Sequence, residues 1–143
     1  MVLEIIRILD DAGADLTRTV ISHVDMFGYS RSTLHKIVDA GCYVEYDTFG
    51  HEGLHPLYLG HILAAPSDMQ RIYDIVELIK EGYLSHLLMS TDHCFKHLLA
   101  SYGGYGYAHI LRDVVPMLRN VGVTNEQIKT MLVENPKRLL TFD

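Results

Sequence analysis

The chain has 143 residues, 48% of them apolar and 21% charged, with no tract rich in Pro, Gly or Ser; that is enough for one domain with a real core, and it excludes intrinsic disorder. Eighteen acidic residues against twelve basic ones give a formal charge of -6 with no stripe of Lys and Arg, which excludes nucleic acid as a partner. Nothing approaches the roughly 18 consecutive apolar residues of a membrane span, and the start, MVLEIIRILDD, lacks the basic region of a signal peptide. With only Cys42 and Cys94 present, read as two ordinary buried thiols, the expected setting is the cytosol.

In chain order, Leu3, Ile6, Leu9 and Ala12 set out a first helical face, which ends before Gly13. The β-branched run TVISHVD then predicts a strand. Leu34, Ile37 and Val38 form a short helix capped by Gly41, followed by the strand CYVEYDTFG. Met69, Ile72, Tyr73, Val76 and Ile79 recur at three and four behind Ser67 and Gln70, a capping box, so the spacing predicts a helix from Ser67 to Glu81, closed by Gly82. HLLMSTDH follows as a third strand. A helix over Ile110 to Val121 is closed by Gly122, and a last helix opens on a second box, Thr124 and Gln127, before Pro136 ends or kinks it. Strands separated by helices pair in parallel, with right-handed crossovers and both faces covered. The class is therefore α/β. An open doubly wound sheet competes with a segment of a (β/α)8 barrel, because three strands cannot close a barrel.

In either architecture ligands meet the carboxyl ends of the strands. The first predicted strand finishes on Ser22, His23, Val24 and Asp25, the second on Glu45, Tyr46 and Asp47, and the third on Ser90, Thr91, Asp92 and His93. An imidazole and several carboxylates on one rim suit a divalent metal or acid/base chemistry, although Asp and Ser also cap the turns after strands. A second pattern, HEGLH from His51 to His55 with His61 beyond, fits the zinc-peptidase spacing H-E-x-x-H. That chemistry needs a helix, with Glu52 aimed at the bound water; Gly50, Gly53 and Pro56 argue for a loop over the rim instead. His93 and His97 in HCFKH have the spacing of one helical turn but no carboxylate between them.

The run GCYVEYDTFG, the run from LLMSTDHCFKHLLASYGGYGYAHIL to ENPKRLLTF, and VISHVD together resemble the phosphotriesterase family of the amidohydrolase superfamily, over essentially the whole chain. The resemblance implies a (β/α)8 barrel with two divalent cations, usually zinc, and a hydroxide that attacks an ester, phosphoester, lactone or acyl-amide bond of a small-molecule substrate. It implies that His23 is the metal ligand at the end of the sixth strand, and that Asp92, at the end of the eighth, binds metal and shuttles a proton. A metal lowers the pKa of bound water to about 7, and a carboxylate beside it can carry the proton to a leaving group. The family's H-x-H pair, bridging carboxylate and further His have no match here. Residues 1–143 are thus expected to form one partial barrel domain, strands six to eight, with two of about six metal ligands. Such a half barrel invites self-association or pairing with the missing half, since its outer strands present open edges; an inactive fragment or interaction module is the alternative.

By the same resemblance, the stretch SYGGYGY belongs to the loop leaving the eighth strand. Its glycines let backbone approach substrate or bend at a hinge, and Tyr105 and Tyr107 offer flat faces. Together with the loop from Thr48 to His61 it is expected to shape the substrate pocket. Tyr46, Asp47, Lys96, Tyr105 and Tyr107 are the expected substrate contacts.

Overall fold

The computed structural model describes residues 1–56 and 62–142. The elements run α1 (Val2–Asp11), β1 (Val20–Ile21), α2 (Arg31–Asp39), β2 (Tyr43–Tyr46), β3 (Gly53–Pro56), β4 (Ile62–Ala65), α3 (Asp68–Lys80), β5 (Leu87–Met89), α4 (Val115–Asn120), α5 (Asn125–Lys129) and α6 (Asn135–Leu140). β1, β2 and β5 form a parallel sheet with β2 in the centre. Beyond the regular ladder, Val24 N–H donates to Glu45 O at 3.4 Å and Ser90 N–H to Tyr46 O at 3.0 Å, so the strands stay in register toward their carboxyl ends.

The local signals act as their chemistry requires. Ser67 with Gln70 and Thr124 with Gln127 form both halves of their capping boxes, and Ser30 caps α2 through Thr33 N–H. Gly13, Gly41, Gly82 and Gly122 follow their helices with φ between 79° and 99°, the left-handed cap that a side chain would oppose. Two expectations change. The helix over Ile110 to Val121 opens as a π-helical turn, Ile110–Val114, and a second π turn, Thr130–Glu134, leads into α6. Each wide turn stands just ahead of a proline, Pro116 or Pro136, at the start of the next α-helix. The extra residue removes the clash and the missing donor that proline imposes, so the chain continues helical through Pro136 instead of breaking.

The second change lies between β2 and α3. Where a plain loop is expected, β3 and β4 pair antiparallel as a hairpin, Gly53 opposite Ala65. Gly53 enters it at φ 92°.

The core packs the outer face of the sheet, Val44, Tyr46 and Leu87, against Leu34, Ile37 and Val38 of α2, Ile72, Ile75 and Leu78 of α3, and Val114, Leu118, Ile128 and Met131. Period-2 alternation sends the neighbours of those strand residues to the other face, where Glu45 stands in register with Leu88. Of the apolar face expected for α3, Ile72 is buried and Met69, Val76 and Ile79 pack half-buried against the core. Tyr73 is exposed, and the buried stripe is Asp68, Arg71, Ile72, Ile75 and Leu78. An ion pair occupies the first turn of that stripe, so hydrophobicity alone misplaces it.

Candidate metal and catalytic rim

β1 and β5 run parallel on either side of β2, so His23 and Asp92, two and three residues past their strands, lie at the same end of the sheet. Two strand spacings, ~10 Å, separate the strands that carry them. Among the described residues these are the two non-glycine positions with positive φ, 57° at His23 and 35° at Asp92. Such backbone costs about 1–3 kcal/mol at each residue and persists where the surroundings fix it, often at functional sites.

Asp47 controls His23. One carboxylate oxygen, Oδ1, accepts from the His23 backbone N–H at 3.1 Å and from ring Nδ1 at 2.9 Å. The Nδ1–H tautomer is thereby set, and Nε2 keeps its lone pair. The His23 side chain is 42% exposed, whereas that of Asp47 is 7% exposed. Burial pushes the Asp47 carboxyl up to about 6 against the opposing pull of His23. Asp47 is thus a buried support of His23, and the expected direct substrate contact gives way to that role. Tyr46 is corrected too: it is 1% exposed and belongs to the core on the outer face of the sheet. Burial raises its hydroxyl further above the usual phenol range.

Asp92 is half-buried, and among the described residues its carboxylate meets the Cys94 thiol at 3.7 Å and no stronger donor. Cys94 is exposed, contrary to the expectation of two buried thiols. Partial burial and the Asp92 charge hold its thiol up, away from nucleophilic use. His93 and His97 do not share a helix face: His93 stacks on Tyr107 with ring centroids 4.3 Å apart, and His97 on Phe95 at 5.4 Å. His93 Nδ1 bonds Thr91 Oγ1 at 2.7 Å, and Nε2 is buried without a partner among the described residues.

The rest of the loop after β5 stands at the rim. Tyr107 is 73% exposed, Tyr105 stacks on His109 at 4.2 Å, and the exposed Lys96 ammonium sits 4.3 Å from the centre of the Tyr102 ring. The glycines explain its course. A Cβ on Gly104 would lie 2.2 Å from Leu98 O, and one on Gly50 would press on His109 and Tyr105. The glycines therefore permit close backbone packing.

The H-E-x-x-H reading fails on its own condition. Gly53 to Pro56 is a strand, so His51 and Glu52 precede it without a helical turn to His55. His51 is buried, with Nε2 on Thr91 O at 3.0 Å, and Glu52 accepts the Asp68 N–H at 2.8 Å. His61 lies outside the described residues.

A buried polar network beneath the rim is missing from the sequence reading. Arg71 Nε donates to Asp25 at 2.6 Å, and its terminal nitrogens donate to Asp68 at 2.9 Å, Thr48 at 2.9 Å and His51 O at 2.8 Å. Thr48 also bonds Asp25. His109 faces Asp68 through Nε2 at 2.6 Å and Asp113 through Nδ1 at 2.7 Å. The sequence signal was the pair Asp68 and Arg71, three residues apart at the head of a stripe that continues apolar through Ile72, Ile75 and Leu78.

Among the described residues no three His, Cys, Asp or Glu side chains gather as a metal ion requires. The model of the phosphotriesterase family matches residues 1–140. The chain belongs to the phosphotriesterase family. Relatives include a phosphotriesterase-related protein of Nematostella vectensis, 47% identical over 97% of this chain and 39% of its own length, and an N-acetyltaurine hydrolase of Dictyostelium discoideum, 45% identical over 98% and 38%. The chain therefore spans well under half the length of the curated relatives it matches. A resiniferatoxin-binding protein from Rhodobacter sphaeroides superposes with a TM-score of 0.88 at 29% identity over 95% of this chain and 37% of that one. The Escherichia coli phosphotriesterase homology protein, solved with phosphate in its active site, gives 0.82 at 29% identity over 97% and 44%. The parallel sheet and its helices are part of a phosphotriesterase-type (β/α) barrel, which resolves the choice against the open sheet.

Proposed function

We propose that this chain supplies part of the active site of a metal-dependent hydrolase, with β1, β2 and β5 in the places of the sixth to eighth barrel strands. The supporting observation is the pair of strained tips at one sheet end, with His23 Nε2 left free by Asp47. Imidazole nitrogen and carboxylate oxygen are a donor set that suits zinc. His23 and Asp92 would hold the cations, with the remaining ligands coming from other strand tips. Bound there, zinc supplies Lewis acidity and water of lowered pKa. Asp92, half-buried and among the described residues without a strong donor, would take up a proton from the attacking water and return it to the leaving group. Asp47 keeps His23 in one tautomer, while Lys96, Tyr105 and Tyr107 line the approach of a small substrate. The relatives named N-acetyltaurine hydrolase favour the amide of a small acylated amine among the family's bonds.

Metal content decides this reading. The purified chain, dialysed against micromolar zinc, should retain zinc by mass spectrometry and lose it in the His23→Ala, Asp92→Ala double variant; equal retention by both would sink the assignment. A second reading, a catalytically silent module, is favoured by the absence of a three-ligand cluster among the described residues. It predicts no zinc and no hydrolysis of an N-acetylated amine.

A further inference from the structure

Two strained tips need something that holds them. Arg71, on the first turn of α3, is 1% exposed; it bonds the segments that leave β1 and β2 directly and reaches the one that leaves β5 through His51. Its Asp25 contact fastens the turn two residues past His23, and its Thr48 contact fastens the residue after Asp47. Its bond to His51 O fixes a residue whose ring Nε2–H donates to Thr91 O, the carbonyl directly before Asp92. Asp68 relays the same guanidinium to His109, at the head of the π-helical turn that leads into α4. The Phe49 ring lies 5.8 Å from the guanidinium carbon.

We infer that Arg71 is the positioning residue of this rim, one guanidinium that holds both His23 and Asp92 in left-handed backbone. The inference rests on the proposed reading for its functional meaning and on the hydrogen bonds alone for its physics. A planar fork with five donors can serve four acceptors, on two loops and the first residue of α3, at once, which a lysine cannot. Strained backbone relaxes when such restraints go, because local opening depends on the contacts that oppose it.

Amide hydrogen exchange by NMR on the full, metal-free chain tests this. Phe27 N–H donates to His23 O at 3.1 Å and Cys94 N–H to Asp92 O at 2.7 Å, so these two amides report the two tips. In Arg71→Lys, which keeps the charge, both should exchange at least about tenfold faster while Ile75 and Leu78 in the core of α3 keep wild-type rates. Unchanged Phe27 and Cys94 rates would overturn the inference, and so would uniform acceleration of every amide, which marks general destabilisation. If Arg71→Lys does not fold, Thr48→Val decides instead. It deletes the hydroxyl shared by Arg71 and Asp25, so Phe27 should accelerate and Cys94 should not; any other pattern rejects the network. No metal enters the measurement, so a chain that binds no zinc would refute the proposed function and leave this result standing.

Discussion

Gly104→Ala tests whether the glycine-rich loop is pliable or close-packed. The added Cβ would sit 2.2 Å from Leu98 O, 2.3 Å from Leu98 C and 2.4 Å from His97 O, all backbone atoms that no rotamer change can remove. Ordinary C···O contacts lie near 3.3–3.6 Å, so the loop must open by about 1 Å. Opening breaks the bonds that close the turn, Gly106 N–H to Leu98 O at 2.9 Å and Gly104 N–H to Leu99 O at 3.1 Å. At about 0.5–1.5 kcal/mol net for each bond, the local cost is roughly 1–3 kcal/mol. Gly103→Ala is the control: its Cβ meets open space, and only its φ of 92° is strained, a cost of about 1 kcal/mol. The chain has no Trp and nine Tyr, so near-ultraviolet circular dichroism is a tyrosine signal to which the stacked Tyr105 and Tyr107 contribute, and urea titration reads stability. Gly104→Ala should lose more of the tyrosine signal than Gly103→Ala. Wild-type dichroism and midpoint in Gly104→Ala would refute the close-packing account.

Asp47 gives a pH signature. Its folded pKa of about 6 lies above the ordinary 3.8, so the folded state binds the proton more tightly; the contribution is present in full below about pH 4 and is lost as pH rises through 6. Urea midpoints should fall by an amount corresponding to roughly 2–3 kcal/mol across that window, and Asp47→Asn should flatten the difference. Asn135, fully buried, donates to Leu84 O at 2.9 Å and Leu87 O at 2.8 Å and accepts from Arg138 at 2.7 Å. Asn135→Ala should lower unfolding stability by about 2–4 kcal/mol, because two carbonyls and a guanidinium lose their partner.

What the sequence made legible was local. Capping boxes and post-helical glycines are satisfied within four residues, so Ser67, Thr124 and Gly82 announce their elements. The parallel order follows from strands alternating with helices, and His23 and Asp92 stand out because strand tips collect chemistry. Tyr46 was misread because one residue of register decides whether a side chain faces the core or the interior, and YVEY presents aromatics on both faces. Arg71, Asp68 and His109 were illegible for a related reason: their partners lie up to 46 residues away, and an arginine in a helix is by default a solvated one. The hairpin was hidden because its pairing joins segments each marked by turn-forming Gly and Pro.

The open edges and the proposed metal ligands would be completed by the same event. Among the described residues β1 and β5 each pair on one side only, and a strand added to either outer edge would bring its own tip beside His23 or Asp92. Completing the ladder and completing the coordination are then one event, and linkage requires each to strengthen the other. Sedimentation velocity of the chain should show association about tenfold tighter with zinc than with a chelator, a coupling of about 1.4 kcal/mol. The His23→Ala, Asp92→Ala variant should keep the zinc-free association, which depends on backbone edges, and lose the zinc-dependent increment. Identical association with and without zinc in the unmutated chain would show that the edges and the ligands are not coupled.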